Sequence, residues 1–202
     1  MTKRVAAAPA RPISADAAAG FVKSGMWLDY GTSLCQPDVF DRALAARIGD
    51  LTNVKIRHCL TMRPRAVFEA DPDGRHVYSF SLHYSAHDRR KHDAGRCNYI
   101  PVNLGEIPDY YRRFMDPVDV VVLKTCPLDE LGYFNLSAAN LWHHAIIERA
   151  RLVIVETSRG LPYVYGEETG LHVSEVDYVI EGDDAPAPEL PNPAATEIDA
   201  AV

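Results

Sequence analysis

Two runs of apolar, largely β-branched residues dominate the pattern of this chain, VVVLKT at 120–125 and RLVIVET at 151–157, with a helical stretch, ANLWHHAIIERA, between them. Neither run alternates with polar residues, which is the pattern of strands covered on both faces and hence of a parallel sheet. Two consecutive strand–loop–helix units place their exit loops on one edge of that sheet. Open α/β sheets bind ligands at this edge, outside the carboxyl ends of the strands. Residues 127–137 and 157–166 are the two loops, and both are rich in Asp, Glu, Gly, Ser and Asn.

Earlier segments repeat the pattern more weakly. MWLDY (26–30), NVKIRHCL (53–60), HVYSFSLHY (76–84) and NYIPV (98–102) read as strands. Ser14 caps a helix that Gly25 ends, Pro37 takes the first position of a helix over 38–49, and further helices begin at Ala86 and span 104–114. Residues 61–75 read as irregular, because Pro64, Pro72 and the Asp73-Gly74 turn break any period. The expected fold class is α/β, an open, mostly parallel sheet flanked by helices. Residues 1–13 are expected as a flexible arm and 14–181 as one domain. Residues 182–202 read as a linker kept extended by Pro186, Pro188, Pro191 and Pro193, followed by a capped helical start at TEIDAAV.

Composition narrows the function. With 202 residues and 47% hydrophobic content the chain fills one α/β domain. A formal charge of −7 leaves no extended basic surface, which argues against a nucleic-acid partner. Cys35, Cys59, Cys97 and Cys126 show no CxxC pair and no framework spacing, the usage of reduced thiols. No apolar leader and no run near the ~20 residues of a membrane span is present, so a soluble, cytoplasmic chain without a membrane partner is expected. His143 and His144 are adjacent and point about 100° apart on a helix, so they cannot share an ion. Ser85 divides His83 from His87 between a strand and a helix. No metal site is expected.

Three segments carry a family resemblance. CPLDELGYFNLS (126–137), RRKHDAGRCNYIPVNLGEIPDYYRR (89–113) and VETSRGLPYVYGEETGLHVSEVDYVIE (155–181) resemble, in order and spacing, segments of the acetyl-CoA hydrolase/transferase family, which includes 4-hydroxybutyrate, butyrate:acetate and itaconate CoA-transferases. The resemblance spans roughly 14–193 and corresponds to the amino-terminal half of a typical member. It implies that coenzyme A and acyl-CoA are substrates rather than covalently bound cofactors, and that a small carboxylic acid is the second substrate. It also implies a ping-pong exchange through a glutamyl-CoA thioester. The family's nucleophilic glutamate and glycine-rich oxyanion loop lie in the carboxyl-terminal half, and nothing here matches either. No catalytic residue is therefore expected in this chain, and its expected partner is a carboxyl-terminal half or subunit, in a hetero- or homo-oligomer. A split gene, a proteolytic nick or a shortened chain would each give this ending.

What this half is expected to supply is a substrate-binding wall at the strand exits. Asp129, Gly132 and Asn135 lie on the loop most like the family's, with Gly132 supplying a tight turn. Ser137 reads as a helix N-cap. Glu156 and Thr157 end a strand, where a carboxylate is more often a partner for backbone amides than a nucleophile. Thr61 and Arg63 follow the strand at 53–60, and a guanidinium there can fork onto a carboxylate. Arg89, Arg90 and Lys91 read as a solvated helix face or, alternatively, as an anchor for phosphate or carboxylate groups of CoA. Cys126 stands where the family usually has Ser, and Asn135-Leu136-Ser137 where Ser-Leu-Gly is common, which points to a different substrate shape. Cys126 reads as a small buried residue, with an activated thiol as the alternative. Three other functions remain open. One is an acyl-CoA hydrolase half, and another a structural or regulatory subunit. The last, a Rossmann-like binding module, lacks the GxGxxG fingerprint.

Overall fold

A computed structural model describes residues 5–6, 9–189 and 193–201. From the amino terminus it runs through β1 (Arg11–Pro12), α1 (Ala15–Ala19), β2 (Trp27–Thr32), α2 (Val39–Ala46), β3 (Val54–Cys59), α3 (Ala66–Glu69), β4 (Val77–Ser81), α4 (Ala86–Asp93) and β5 (Asn98–Tyr99). It continues through α5 (Ile107–Arg113), β6 (Val118–Thr125), β7 (Tyr133–Asn135), α6 (His143–Arg149), β8 (Ala150–Thr157), β9 (Gly170–His172), β10 (Tyr178–Glu181) and α7 (Glu197–Ala200).

Period-two alternation in the two apolar runs builds two cores at once. Val121 and Leu123 of β6, with Val153 and Val155 of β8, pack under α5 and α6 against Ile107, Tyr111 and Ile146. Val120, Val122 and Ile154 face the other way and meet Ala18, Phe40, Leu44 and Val67 of α1, α2 and α3. Neither face of these strands meets solvent, which is why the runs lack polar alternation.

Eight strands form one sheet in the order β1-β10-β8-β6-β2-β3-β4-β5. Each neighbouring pair is parallel. After β1 at one edge, the chain enters the middle at β2, moves outward through β3, β4 and β5, then returns to β6 and proceeds through β8 and β10 back towards β1. The strand order thus reverses between β2 and β6, where doubly wound sheets open a crevice for ligands. Outside the sheet, β7 and β9 pair antiparallel.

Several local readings change. The arm is partly recruited: Arg11 N–H donates to Asp177 O and Ile13 N–H to Val179 O, so β1 edges a strand, β10, that the sequence pattern does not mark. The first helix stops at Gly20, while Gly25, at φ +84, turns the chain into β2 with its N–H on Thr52 O. The irregular 61–75 segment contains α3, and Pro37 precedes the N-cap residue of α2, Asp38, instead of entering the helix. Ser137 is not a cap: it has φ +55, and its hydroxyl donates to Pro162 O. Ser85, by contrast, does divide β4 from α4, with a full capping box to Asp88.

The proline-rich tail does not leave the sheet freely. Gly182 N–H donates to Thr157 O, Asp183 pairs with Arg42 at 2.7 Å, and Asp184 pairs with Arg159 at 3.0 Å. Arg63 then binds the carbonyl of Pro186. The tail therefore crosses the carboxyl edge of the sheet from β10 towards β3. Two glycines make room for it. A Cβ on Gly160 would collide with the carbonyl oxygen of Ala185, and one on Gly182 with that of Thr157.

Candidate active-site edge

Thr125 of β6 and Thr157 of β8 are register partners, so the two exit loops leave the sheet at the same level. They are bound to each other. Asn135 donates through Nδ2 to Val164 O at 2.9 Å and accepts from Val164 N–H at 3.1 Å and Ser137 N–H at 2.9 Å. Asn135 is buried and couples the loops, and it also lines the hollow beside them. Asp129 organises the tip of the first loop: its Oδ1 accepts from the amides of Leu131 and Tyr133, and its Oδ2 from the Tyr163 hydroxyl at 3.1 Å. These bonds to Tyr133, Tyr163 and Leu131 hold the Asp129 carboxyl below its ordinary range. Gly132 has φ +83, a conformation suited to glycine, and a Cβ there would press on His172 Nε2.

The hollow beside this tip is lined by Asp129 and Glu168 together with Tyr133, Tyr163 and His144, and by no lysine or arginine. Asp129 and Glu168 give the hollow a negative charge. The rims of the same loops expose Leu128, Leu131 and Tyr165.

A second group of charges lies at the reversal of strand order. Alternation that sends Ile154 and Val122 towards α2 also sends Glu156 and Lys124 there, one step past the apolar runs. Glu156 is fully buried, and its carboxylate accepts from the amides of Asp38, Val39 and Phe40 at 2.8–3.0 Å. It satisfies the orphan N–H groups that open α2 and sits at the positive end of the helix dipole. Burial still dominates and raises its pKa despite the three amides. Both oxygens of Glu156 are engaged by backbone amides, in keeping with a carboxylate at a strand end that serves the backbone.

Asp38 is the hub. Its Oδ2 lies 2.6 Å from Lys124 Nζ and 3.4 Å from Arg63, and its Oδ1 lies 3.0 Å from Arg65. Burial alone would raise the Asp38 pKa, but the Lys124 hydrogen bond and the fields of Arg65, Lys124 and Arg63 outweigh it and lower the value. Asp41, one helical turn on, accepts from Ala66 N–H and is pushed up to about 6 by burial, against the field of Arg65.

The remaining sequence candidates divide between these regions. Arg63 is 30% exposed and bridges Asp38 and the tail, so it is the one cation of this group within reach of solvent. Thr61 is buried; its hydroxyl pairs with His58 Nδ1 at 3.0 Å and its amide donates to Asp88. Thr157 is half-buried, with its hydroxyl directed at Ile180 O. The structure thus joins Asp129, Gly132 and Asn135 in one loop pair and links Arg63 to Glu156 through Asp38, while Thr61 stands apart. Cys126 is buried and its thiol is pushed up by burial, the opposite of activation.

Sequence reading missed Lys124, Asp38 and Arg65. The signal was present at Lys124 and Glu156, charged residues on the same parity at the carboxyl ends of two otherwise apolar strands. It also missed the exit of β2. There Gly31 (φ +63) and Ser33 (φ +50) twist the backbone beside the crevice, and Asp29 Oδ1 accepts from Gly31 N–H. Gly31 is required by His143, whose Nε2 lies 2.7 Å from where a Cβ would stand.

Comparison with known proteins agrees with this architecture. The acetyl-CoA hydrolase/transferase N-terminal domain family matches residues 4–191. A butyryl-CoA:acetate CoA-transferase of Anaerostipes caccae is 37% identical over 191 residues, covering 94% of this chain and 43% of that protein. RipA from Yersinia pestis superposes with a TM-score of 0.80 at 26% identity, over 93% of this chain and 45% of that one. A 4-hydroxybutyrate CoA-transferase from Porphyromonas gingivalis gives a TM-score of 0.69 at 25% identity, over 89% and 41%. The chain therefore spans less than half the length of these relatives. No helix among the described residues is long and apolar enough to cross a membrane. With an all-parallel sheet of this order and a match across 4–191, the chain belongs to the acetyl-CoA hydrolase/transferase family, in the part described as its amino-terminal domain.

Proposed function

We propose that this chain is the amino-terminal half or subunit of an acyl-CoA:carboxylate CoA-transferase, and that it works with a carboxyl-terminal half carrying the nucleophilic glutamate. The observations that carry the reading are the family match over 4–191 and the alignment to the Anaerostipes caccae relative, which covers only 43% of that protein. Buried, free cysteines support a reducing, cytoplasmic setting.

In the proposed reaction a glutamate carboxylate attacks the thioester carbonyl, and the C–S bond breaks to give a mixed anhydride and CoA thiolate. The thiolate attacks the glutamyl carbonyl, releases the first carboxylate and leaves a glutamyl-CoA thioester. An incoming carboxylate reverses these steps and departs as the new acyl-CoA. Each stage is an acyl substitution that needs a dry, preorganised cleft. This half supplies one wall. Arg63 contacts the carboxylic acid, being the exposed cation at the crevice. Thr61, Glu156, Thr157 and Asn135 hold the strand exits in place behind that surface. The loop tip at Asp129 and Gly132, acidic and fringed with exposed Leu131 and Tyr165, meets the other half instead of the acid.

The test is reconstitution. Purified alone, the chain transfers no CoA between butyryl-CoA and acetate, the pair named for the Anaerostipes caccae relative, and gains transfer when a carboxyl-terminal half is added. Steady turnover by the chain alone would overturn the division of labour.

A further inference from the structure

A cleft of about 490 Å³ opens at the carboxyl edge between the exits of β3 and β4, with Thr61, Met62 and Pro64 on one side of it. Helix α4 sorts its charges around it. Asp88 turns inward and is buried, accepting from the amides of Thr61 and Ser85. Lys91 leaves to one side and pairs with Glu69 at 2.8 Å. Arg89 and Arg90 line the cleft above Ala86, as residues three and four positions apart on a helix must. Among the described residues the side chains of Arg89 and Arg90 have no ion-pair or hydrogen-bond partner. Asp93 follows on the same helix face but lies outside the cleft lining.

Among the cleft-lining residues is the aromatic Tyr84, which packs on Tyr99 outside the lining. The Tyr84 ring lies 5.1 Å from Tyr99, and the Tyr84 hydroxyl is fixed by His92 and Cys97 O. Tyr99 is 50% exposed. The tail brings Pro188 and Glu189 into the lining of the same cleft.

We infer that this cleft binds the phosphate-bearing end of a purine nucleotide, with Arg89 and Arg90 on the phosphate oxygens and Tyr84, backed by the exposed Tyr99 at the cleft's margin, towards the base. Two forked guanidiniums on one open face suit a polyanion that accepts several charge-assisted hydrogen bonds. A small monocarboxylate would stay hydrated there and gain little. Purine faces stack on tyrosine rings without demanding base-specific hydrogen bonds. Within the CoA-transferase reading, on which this identification of the source rests, the ligand is the nucleotide end of CoA, and the Glu189 carboxylate in the same cleft repels its phosphates.

Calorimetric titration of the full chain at low salt, with pyrophosphate and with a purine nucleoside bisphosphate, tests the site. Binding should fall roughly tenfold or more in the Arg89→Gln/Arg90→Gln variant and tighten in Glu189→Gln, and the bisphosphate should bind more tightly than pyrophosphate. Circular dichroism checks that each variant is folded. Absence of binding at millimolar ligand, or binding unaffected by the double substitution, overturns the site. In the reconstituted enzyme the double variant should raise KM for acyl-CoA and leave KM for the acid unchanged. Transfer activity with an unaltered acyl-CoA KM would sink the site and leave the transferase reading standing. Arginine-dependent phosphate binding by a chain that never supports transfer would do the reverse.

Discussion

Lys124 Nζ lies 2.6 Å from Asp38 Oδ2, and both side chains are buried where the strand order turns back on itself. The pair joins the end of a central strand to the start of a helix 86 residues earlier in the chain. It also sets Asp38 beside Glu156, two carboxylates around one helix start, with Lys124, Arg65 and Arg63 as counter-charges.

Removing one partner of a buried pair leaves an uncompensated charge, so Lys124→Met should destabilise the chain by about 3 kcal/mol. Adding Asp38→Asn to that variant should cost less than the sum of the two single substitutions. Urea unfolding of the four proteins measures the coupling, and strictly additive losses would show that the two residues do not depend on each other.

Asp41 titrates in the opposite sense from Asp38. Its pKa rises from 3.8 to about 6 because burial penalises the charged form, so the folded chain binds this proton more tightly than the unfolded chain does. The stability contributed by that proton is complete below the unfolded value and is lost as pH rises through the folded one, a change of up to about 3 kcal/mol between pH ~4 and ~6. Asp41→Asn keeps an acceptor for the Ala66 amide and should flatten the stability–pH profile across that window. An unchanged slope would remove Asp41 as its source.

Gly31 meets three obstacles at once, a positive φ of +63, the ring of His143 and the Leu123 side chain, whose Cδ2 lies 2.7 Å from where a Cβ would stand. Gly31→Ala should therefore cost more than the ~1 kcal/mol of left-handed strain alone, with the excess arising from the clash. Pairing it with His143→Ala should recover part of the loss. Thermal unfolding of the single and double variants separates the two contributions.

Gly160→Val should displace the tail while leaving the sheet intact, because its side chain occupies the place of the Ala185 carbonyl. Limited proteolysis should then cut within residues 183–189 far faster than in the parent chain, with little change in the unfolding midpoint. Equal protection in both proteins would mean that the tail is held by its ion pairs alone.

Arg63→Lys tests the acid-binding role. In the reconstituted enzyme, loss of a forked contact should raise KM for the acceptor acid by the equivalent of about 1–2 kcal/mol and change acyl-CoA kinetics less. A fall in stability with unaltered acceptor kinetics would assign Arg63 to holding Pro186 and Asp38.

Much of the architecture was already present in the order of residues. The uninterrupted apolar runs of β6 and β8 could only be strands covered on both faces, and that condition by itself implied a parallel sheet with both exit loops on one edge. Gly132 in a tight turn was legible for the same reason, since only local backbone geometry was at stake.

What the tertiary structure alone decided is which groups meet. Strand parity could direct Glu156 and Lys124 to one face, but the helix start awaiting them lies 118 residues from Glu156 and 86 from Lys124. The same holds for the tail, whose prolines specify an extended chain but not the Gly160 hollow and the Arg42 and Arg63 contacts that lay it across the edge. Periodicity records whether a side chain is buried, because burial repeats with the local helix or strand. The partner of a buried charge is settled by long-range packing, and sequence spacing carries no trace of it.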